Sequence, residues 1–471
     1  MNRSFCLLIA VVCIMASLPE AARAQDSPLP SAQQVASQAL HRRAVEAVIW
    51  GMPIVSVDAM REAFFRDAGA KYGDIVYWSK GSDWKNQTTT PNSTSLYIYF
   101  NFNTKDGPVV LDFPAAAGAG LFGTMLDAWE TPLTDVGPKG ADKGKGGKYI
   151  ILPPDYKGAI PAGHIAVRSS TFNGYALFRA IPASSADSDI AAAIALVKKL
   201  RLYPHAAQSH PPEQHFIDMA GKLFDAIVPF DETFYVRLAR MINEEPVQTR
   251  DLVAMGQLLT LGIEKGKAYK PDPASAPALK LAAKDAHAGF IAALNKGEPW
   301  WAGSMWVLPE NLGPKTAFSF QTPDYLGVDG RGMIFFLAYA PPAELGSATF
   351  YLTGVHDAQG HSLEGSKTYR LRIAPDVPAS QFWAVTVYDL DSAGFIRESP
   401  RVGLDAYQNL RKNQDGSIDV YFGPTPPAGE ESNWIYTAPH QRWFSMFRFY
   451  GPMKPIFDKT WRLGDIEPVN Q

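Results

Sequence analysis

The stretch SNWIYTAPHQRWFSMFRFYGPM, residues 432–453, combines the pattern of a buried strand with polar residues that a core does not need. Side chains alternate between the two faces of a strand, so Phe444, Met446, Arg448 and Tyr450 share one face. An arginine buried among such neighbours needs a carboxylate or a carbonyl group as its partner. The stretch therefore predicts a core strand whose arginine serves either a structural ion pair or an anion-binding site.

Two aspartates are the natural partners of this arginine. Asp389 and Asp391 directly follow another apolar strand, and we expect one of them to meet Arg448. In a functional interpretation, Arg448 holds an anionic group in a pocket floored by Trp383 and Trp434. In the structural alternative, the same charges form an ion pair between strands.

Further segments with strand patterns lie on both sides of a helical region. Before it come strand patterns at 95–103, 108–114, 120–129, 147–154, 164–170 and 175–181. After it, MIFFLAYA (333–340) begins a second series, in which NQDGS (413–417) marks a hairpin turn. Between the two series, the segment 213–228 has a helical pattern. Residues 35–66 are predicted to form a helix pair, interrupted at 51–55 by Gly51 and Pro53.

These patterns predict an α+β, β-rich fold with two antiparallel β-sandwich or jelly-roll-like modules joined by a helical segment. The predicted boundaries are a signal peptide at 1–24, a leader with helices at 25–70, an N-terminal β module at 71–186, a helical linker at 187–298 and a C-terminal β-sandwich at 299–471.

The N-terminus has the features of a secretory signal peptide. Arg3 precedes a short apolar run, and Ala22-Arg23-Ala24 provides a cleavage site before Gln25. Both cysteines, Cys6 and Cys13, lie inside this segment, so the mature chain is expected to lack disulfides and Cys-ligated metals. We therefore expect a periplasmic or secreted, soluble protein without stable membrane insertion.

The net charge of -3, from 44 basic and 47 acidic residues, does not favour nucleic acid as a partner. Glycine-rich nucleotide motifs after a strand and the G-x-S-x-G nucleophile motif are absent, so no cofactor is predicted. His205, His210 and His215 recur at five-residue intervals, whereas helical metal ligands need spacings of three or four. A solvated linker is therefore favoured there over a metal site.

The chain resembles two families of unknown function. PNSTSLYIYFNFNTKDGPVVLDFP (91–114), followed by LDAW and GKYIILPPDYKG, resembles the family numbered 1254. The C-terminal run from FWAVTVYDLD to NWIYTAPHQRWFSMFRFYGP is similar to the family numbered 1214. The resemblance implies two β-sandwich modules in an exported bacterial protein and is compatible with a homo-oligomer. Ser93 stands where members of the first family tend to carry Asp.

Two functions remain open from the sequence. The first is an exported hydrolase-like enzyme with its pocket on the C-terminal sandwich, where Asp389, Asp391 and Arg448 are the candidate catalytic residues. The candidate substrate-binding residues are Trp383, Asn433, Trp434 and Tyr450. The second is a non-catalytic periplasmic ligand-binding or envelope-interaction protein, which would take a small molecule or a glycan in the same groove.

Overall fold

The computed structural model describes residues 30–469 except 185, 309–316 and 344–348. The predicted signal peptide at 1–24 lies outside the described residues. The helices of the described residues are α1 (Ala32–Arg66), α2 (Asp187–Val197), α3 (Thr233–Glu244), α4 (Leu252–Leu258), α5 (Ala276–Leu294), α6 (Val328–Leu337) and α7 (Lys454–Phe457). Within that part of the chain, no helix combines the length and the apolar character needed to cross a membrane.

The first β-sandwich has a six-stranded and a four-stranded sheet. Its strands are β1 (Ile75–Tyr77), β2 (Asn86–Gln87), β3 (Leu96–Asn103), β4 (Val109–Phe113), β5 (Ala119–Asp127), β6 (Pro132–Val136), β7 (Gly147–Leu152), β8 (His164–Arg168), β9 (Asn173–Pro182), β10 (Arg201–Pro204), β11 (Phe216–Asp218) and β12 (Phe224–Asp225). The larger sheet has the order β11-β1-β3-β9-β5-β6, the smaller β10-β4-β7-β8, and β2 pairs with β12.

The second sandwich repeats this plan with a six-stranded sheet, β13-β14-β15-β21-β17-β18, and a four-stranded sheet, β20-β19-β16-β22. Its strands are β13 (Glu298–Pro299), β14 (Trp306–Leu308), β15 (Thr349–Gly354), β16 (Tyr369–Ile373), β17 (Ala379–Asp389), β18 (Gly403–Asp405), β19 (Ile418–Gly423), β20 (Trp434–Tyr436), β21 (Trp443–Pro452) and β22 (Ile466–Pro468). The predicted α+β, β-rich class is confirmed.

Alternation along the central strands gives each six-stranded sheet two buried faces. In β3, Ile98 and Phe100 face the interior of the first sandwich, whereas Tyr97 and Tyr99 face outward. The outward faces of both large sheets contribute to a third apolar core, which also contains α1, α3, α5 and α6. The two sandwiches therefore share a central helical layer.

Helix α1 corrects the prediction of a helix pair at 35–66. It is one helix, which begins with a capping box between Ser31 and Gln34 and continues through Pro53. Proline lacks the N–H that would bond to the carbonyl of Ile49, four residues earlier. In the next position, Arg331 of α6 donates to the carbonyl oxygen of Trp50 at 3.0 Å. Burial among the other helices thus stabilises a helix that the local sequence would end.

Two other local predictions are wrong. The segment 213–228, predicted as helix, contains β11 and β12, which pair in parallel with β1 and β2. The segment 333–340, predicted as a strand, belongs largely to helix α6. In both cases distant partners determine the structure. β11 extends a sheet edge, and the last six residues of α6, from Gly332 to Leu337, are all buried, so the segment lacks an amphipathic period.

The loop 88–94 lies where the two sandwiches meet, and hydrogen bonds hold it there. The Tyr388 hydroxyl donates to the carbonyl oxygen of Pro91 at 2.6 Å, and the Thr90 N–H donates to the carbonyl oxygen of Ala393 at 2.8 Å. Thr90 has a φ of +37°, a strained conformation for a β-branched residue. These contacts with the second half fix the loop and place the Thr90 carbonyl group beside Arg448 of β21.

Candidate functional site

Arg448 lies at the centre of the outward face of β21. Its register partners are Tyr351 on β15 and Ala384 on β17, so strands on both sides enclose it. Only 2% of the residue is exposed. The sequence prediction of an arginine buried within an apolar strand is therefore confirmed.

The guanidinium of Arg448 has few polar partners. Nη2 donates to the carbonyl oxygen of Thr90 at 3.1 Å, and Cζ lies 5.0 Å and 5.4 Å from the ring centroids of Tyr351 and Tyr388. Nη1 is buried without a hydrogen-bond partner among the described residues. One carbonyl group, the Met446 sulfur at 3.5 Å from Nη2 and two aromatic faces leave most of its hydrogen-bonding capacity unused.

A second arginine faces the same space from the first sandwich. Arg179 lies on the outward face of β9, and its Cζ is 5.5 Å from the ring centroid of Tyr97. Its Nε is buried and unpaired within the described part of the chain. Burial alone would lower the pKa of Arg179, but Tyr97 and, from the second sandwich, Tyr351 and Tyr450 outweigh it and raise that pKa. The two arginines thus approach the same tyrosines from opposite modules.

No carboxylate among the described residues forms an ion pair with either guanidinium; the groups that act most strongly on their charges are tyrosines. A buried and a half-buried positive charge without a counter-ion are costly, because burial removes the water that would solvate them. Within the described part of the chain the arrangement is electrostatically incomplete, and an anion would supply the missing negative charge. Guanidinium groups are well suited to this role, since their planar fork binds carboxylate and phosphate oxygens in pairs.

The pKa values of two neighbouring tyrosines shift in opposite directions, although the arginines lower both. Burial alone would raise the pKa of Tyr351, but the positive charges of Arg179 and Arg448 outweigh it and hold that pKa below 10. Burial, reinforced by Tyr351, raises the pKa of Tyr450 well above its ordinary value. Tyr450 also stacks on Phe382 at a centroid distance of 4.0 Å, and its hydroxyl has no partner in the described structure. It can therefore donate a hydrogen bond to a bound anion.

The expected pairing of Arg448 with Asp389 or Asp391 is wrong. Asp389 pairs with Trp443, five positions along β21 from Arg448, which is about 16 Å at the rise of a strand. Its Oδ1 accepts from the Ser392 N–H at 2.7 Å, and burial raises its pKa. Asp391 is exposed and forms an ion pair with Arg442 at 3.3 Å.

The candidate substrate-binding residues are also dispersed. Trp383 points into the interior of the second sandwich, where it stacks on Phe447 at 5.5 Å. Asn433 is buried beside the four-stranded sheet and bonds to the backbone of Arg411 and Asp419. Trp434, in the same sheet, donates to the carbonyl oxygen of Gly423. Of the predicted set, the structure brings together Arg448 and Tyr450 only.

Sequence reasoning missed Arg179, although the same signal was available. The strand YALFRAI (175–181) carries one arginine among apolar residues, just as β21 does. What the sequence lacks is the information that these two strands face each other across the molecule. Elsewhere in the described residues, no group of three or more His, Cys, Asp or Glu side chains is arranged to hold a metal ion.

Comparison with known proteins agrees with the division into two modules. Residues 73–204 match the model of a protein family of unknown function, DUF1254, and residues 348–454 match that of DUF1214. The crystal structure of the VPA0106 protein from Vibrio parahaemolyticus is 18% identical and covers 92% of this chain and 100% of its own, with a TM-score of 0.52. At this identity the similarity shows the fold alone.

An uncharacterized protein from Burkholderia cenocepacia is 14% identical over 93% of this chain and 96% of its own, with a TM-score of 0.42. No curated protein is significantly similar to the sequence. The two family matches each fall on one of the two sandwiches, in the order in which the sandwiches occur. The first sandwich thus contains a segment that matches the DUF1254 family, and the second contains a segment that matches the DUF1214 family.

Proposed function

We propose that the protein binds a small carboxylate or phosphate anion between its two sandwiches. The observation that carries the proposal is the pair of arginines, Arg179 and Arg448, which converge on shared tyrosines without a carboxylate partner among the described residues. An anion at this position would neutralise both charges and use the unpaired donors of Arg448 and Tyr450.

The aromatic surroundings favour an organic anion over a simple inorganic one. Tyr351, Tyr388 and the stacked pair Phe382–Tyr450 place ring surfaces around the guanidinium groups. Such rings exclude water and add contact area for an apolar body attached to the charged group. We therefore expect benzoate to bind more tightly than acetate.

Ligand binding is favoured over hydrolysis. The hydrolase prediction relied on Asp389 and Asp391 acting beside Arg448, and the geometry separates them from it. Near the arginines, the groups in the described residues that could transfer a proton are tyrosine hydroxyls. Hydrolysis stays a prediction from the sequence, to be tested by adding esters to the purified protein.

Calorimetric titration with benzoate, acetate and phosphate tests the proposal. We expect Arg448→Lys and Arg179→Lys to retain the fold and weaken benzoate binding about tenfold each, because lysine cannot form the planar fork. Arg372→Lys is the matched control, since Arg372 pairs with Asp415 on the exposed surface. The proposal fails if none of the three anions binds, or if the control weakens binding equally.

A second control concerns Glu344, which lies outside the described residues. If Glu344 were the counter-ion of the two arginines, Glu344→Gln would destabilise the protein and anions would rescue that variant alone. If the site serves a ligand, the wild-type protein binds benzoate and Glu344→Gln leaves the affinity unchanged. The two results are mutually exclusive, so this variant separates a structural ion pair from a binding site.

Export and self-association remain part of the proposal. The Ala22-Arg23-Ala24 pattern motivates cleavage before Gln25 and a periplasmic or secreted location. N-terminal sequencing of the protein from the periplasmic fraction should begin near Gln25, and retention in the cytoplasm would contradict export. Light scattering on the same material measures whether the protein forms the homo-oligomer that the family resemblance suggested.

A further inference from the structure

A solvent-facing cavity of ≈390 Å³ lies at the other end of the first sandwich, between α1, α3 and the turn after β3. Its volume falls within the range of sites that bind small molecules. Its charged walls are Arg61, Glu62, Lys105, Arg240 and Glu244. It is separate from the arginine pair described above, and nothing in the proposed function depends on it.

A buried carboxylate anchors the floor of this cavity. Asp58 is fully buried and accepts from Arg61 at 2.9 Å, from Arg237 at 3.1 Å and also from Arg240. Arg61 in addition forms a two-pronged pair with Glu244, at 2.5 Å and 3.2 Å. These contacts fix the arginines in place, so the cavity is a preformed site.

A chain of hydrogen bonds orients the uncharged polar side chains that line the cavity. Asn173 donates to Glu244 at 2.9 Å, and its Oδ1 accepts from the Tyr72 hydroxyl at 2.8 Å and from Asn103 at 2.7 Å. The Tyr72 ring meets Phe65 edge-on at 5.3 Å, and 40% of Tyr72 is exposed. Fixed acceptors, fixed donors and an open aromatic surface therefore line one space.

One cation of this cavity has no carboxylate partner among the described residues. Asp58, Glu62 and Glu244 form ion pairs with Arg61, Arg237 and Arg240, and the buried Glu245 accepts from Asn173, whereas the exposed Lys105 at the rim forms no ion pair within that part of the chain. In addition, Arg61 Nε is buried and unpaired within the described structure. The carboxylates of the cavity would repel a simple anion, and its arginines would repel a simple cation.

Hydroxyl groups avoid this conflict, because each can donate to a carboxylate and accept from an arginine or an amide. The apolar face of a sugar ring can also lie against an exposed tyrosine. We propose that the cavity binds a monosaccharide-sized sugar acid, with its hydroxyls on the Glu244–Asn173 wall, its ring on Tyr72 and its carboxylate at Lys105.

Titration with glucuronate, glucose and acetate tests this inference. We expect glucuronate to bind at least tenfold more tightly than glucose, and acetate not to compete with it at this site. Lys105→Met should remove the preference for glucuronate over glucose. Tyr72→Ala should weaken both sugars about tenfold, through loss of the ring surface. Lys139→Met is the control, since Lys139 is also an exposed turn lysine but lies outside the cavity.

Three results would overturn the inference: no binding of glucuronate at millimolar concentration, displacement of glucuronate by an equal concentration of acetate, or an unchanged sugar preference in Lys105→Met. Because glucuronate is also an anion, the titration is repeated on Arg448→Met. Binding that survives Arg448→Met but responds to Lys105→Met belongs to the cavity. Binding lost only in Arg448→Met belongs to the site between the sandwiches and contradicts the inference.

Discussion

At the scale of a single residue, the pKa of Tyr351 depends on the charges of the two arginines, Arg179 and Arg448. Its ring lies 5.0 Å from the Arg448 guanidinium carbon, and Arg179 and Arg448 together overcome the effect of burial and hold its pKa below 10. When Tyr351 ionises, its phenolate neutralises part of the charge that would bind an anion. Tyrosine ionisation and ligand binding should therefore oppose each other.

We predict that benzoate affinity falls as the pH approaches 10 and that Tyr351→Phe abolishes this decline. The stability effect has a defined sign. A tyrosine with a lowered pKa stabilises the folded state fully above its unfolded pKa of about 10, and this contribution is lost as the pH falls through the lower, folded pKa. Urea denaturation should therefore show a larger difference between wild type and Tyr351→Phe at about pH 10 than at about pH 7. An equal difference at both would contradict the shift.

Asp58 is the residue that holds together the charged side chains beside the cavity between α1 and α3. It is fully buried and accepts from three arginines, so its removal would leave their charges without this carboxylate. We predict that Asp58→Asn lowers the free energy of unfolding by about 3–5 kcal/mol, the usual consequence of breaking a buried ion pair. The control Asp391→Asn removes an exposed carboxylate and should leave the urea midpoint unchanged. A loss below about 1 kcal/mol in Asp58→Asn would contradict this account.

The sequence could predict individual residues of these sites, but not which residues come together in the folded protein. Arg448 was identified because one cation interrupts an apolar strand, and its burial followed from that pattern. Thr90, which accepts its hydrogen bond, and Arg179, which acts on the same tyrosines, are more than 250 residues away in the chain, so no local spacing relates them to Arg448. Asp389 was favoured because it is near in sequence order to a neighbouring strand, yet pairing register places it five positions away.

At the scale of elements, α1 and α6 show how tertiary packing overrides local signals. Pro53 predicts a helix end, but α1 continues through it and packs against α3, α5 and α6. The backbone of Gly332 in α6 approaches the Ile49 carbonyl so closely that an added Cβ would lie 2.7 Å from it. A small residue here permits the contact that holds both helices. By contrast, α3 is strongly amphipathic and lies within the predicted helical linker at 187–298.

This contact gives a paired prediction. Gly332→Ala should destabilise the protein by about 1–3 kcal/mol, because its methyl group would also lie 3.0 Å from the Phe290 ring. Gly289→Ala, in the neighbouring helix α5, should stabilise it by about 0.5–1 kcal/mol, because no atom lies within 4 Å of its added Cβ and alanine favours the helix. Thermal melts of the two variants should shift in opposite directions. An unchanged or higher melting temperature for Gly332→Ala would show that the close approach in α6 does not matter.

At the scale of the whole molecule, the two sandwiches have separate interiors and also share a core. That shared core combines α1 and Tyr99 from the first half with Tyr388, Phe444 and Met446 from the second. Helix α6, which follows the predicted domain boundary at 299, packs on α1, and its Arg331 donates to Trp50. Neither half can therefore bury all its apolar surface alone.

We predict that the fragment 299–471 does not form a stable monomer. It would expose the face of β17 and β21 that carries Tyr388, Phe444 and Met446. It would also expose Arg448, which has no carboxylate partner in the described part of the chain, and helix α6 without its partner α1. Exposed apolar surface of this kind drives association. Size-exclusion chromatography with light scattering should show aggregates for this fragment, and co-expression with 25–298 should restore a complex with the mass of the intact chain.

A monomeric 299–471 fragment with a cooperative melt would mean that its own sandwich core is sufficient. The interface between the halves would then be an association surface rather than part of the folding core, and the arginine pair would lie between two independently stable modules.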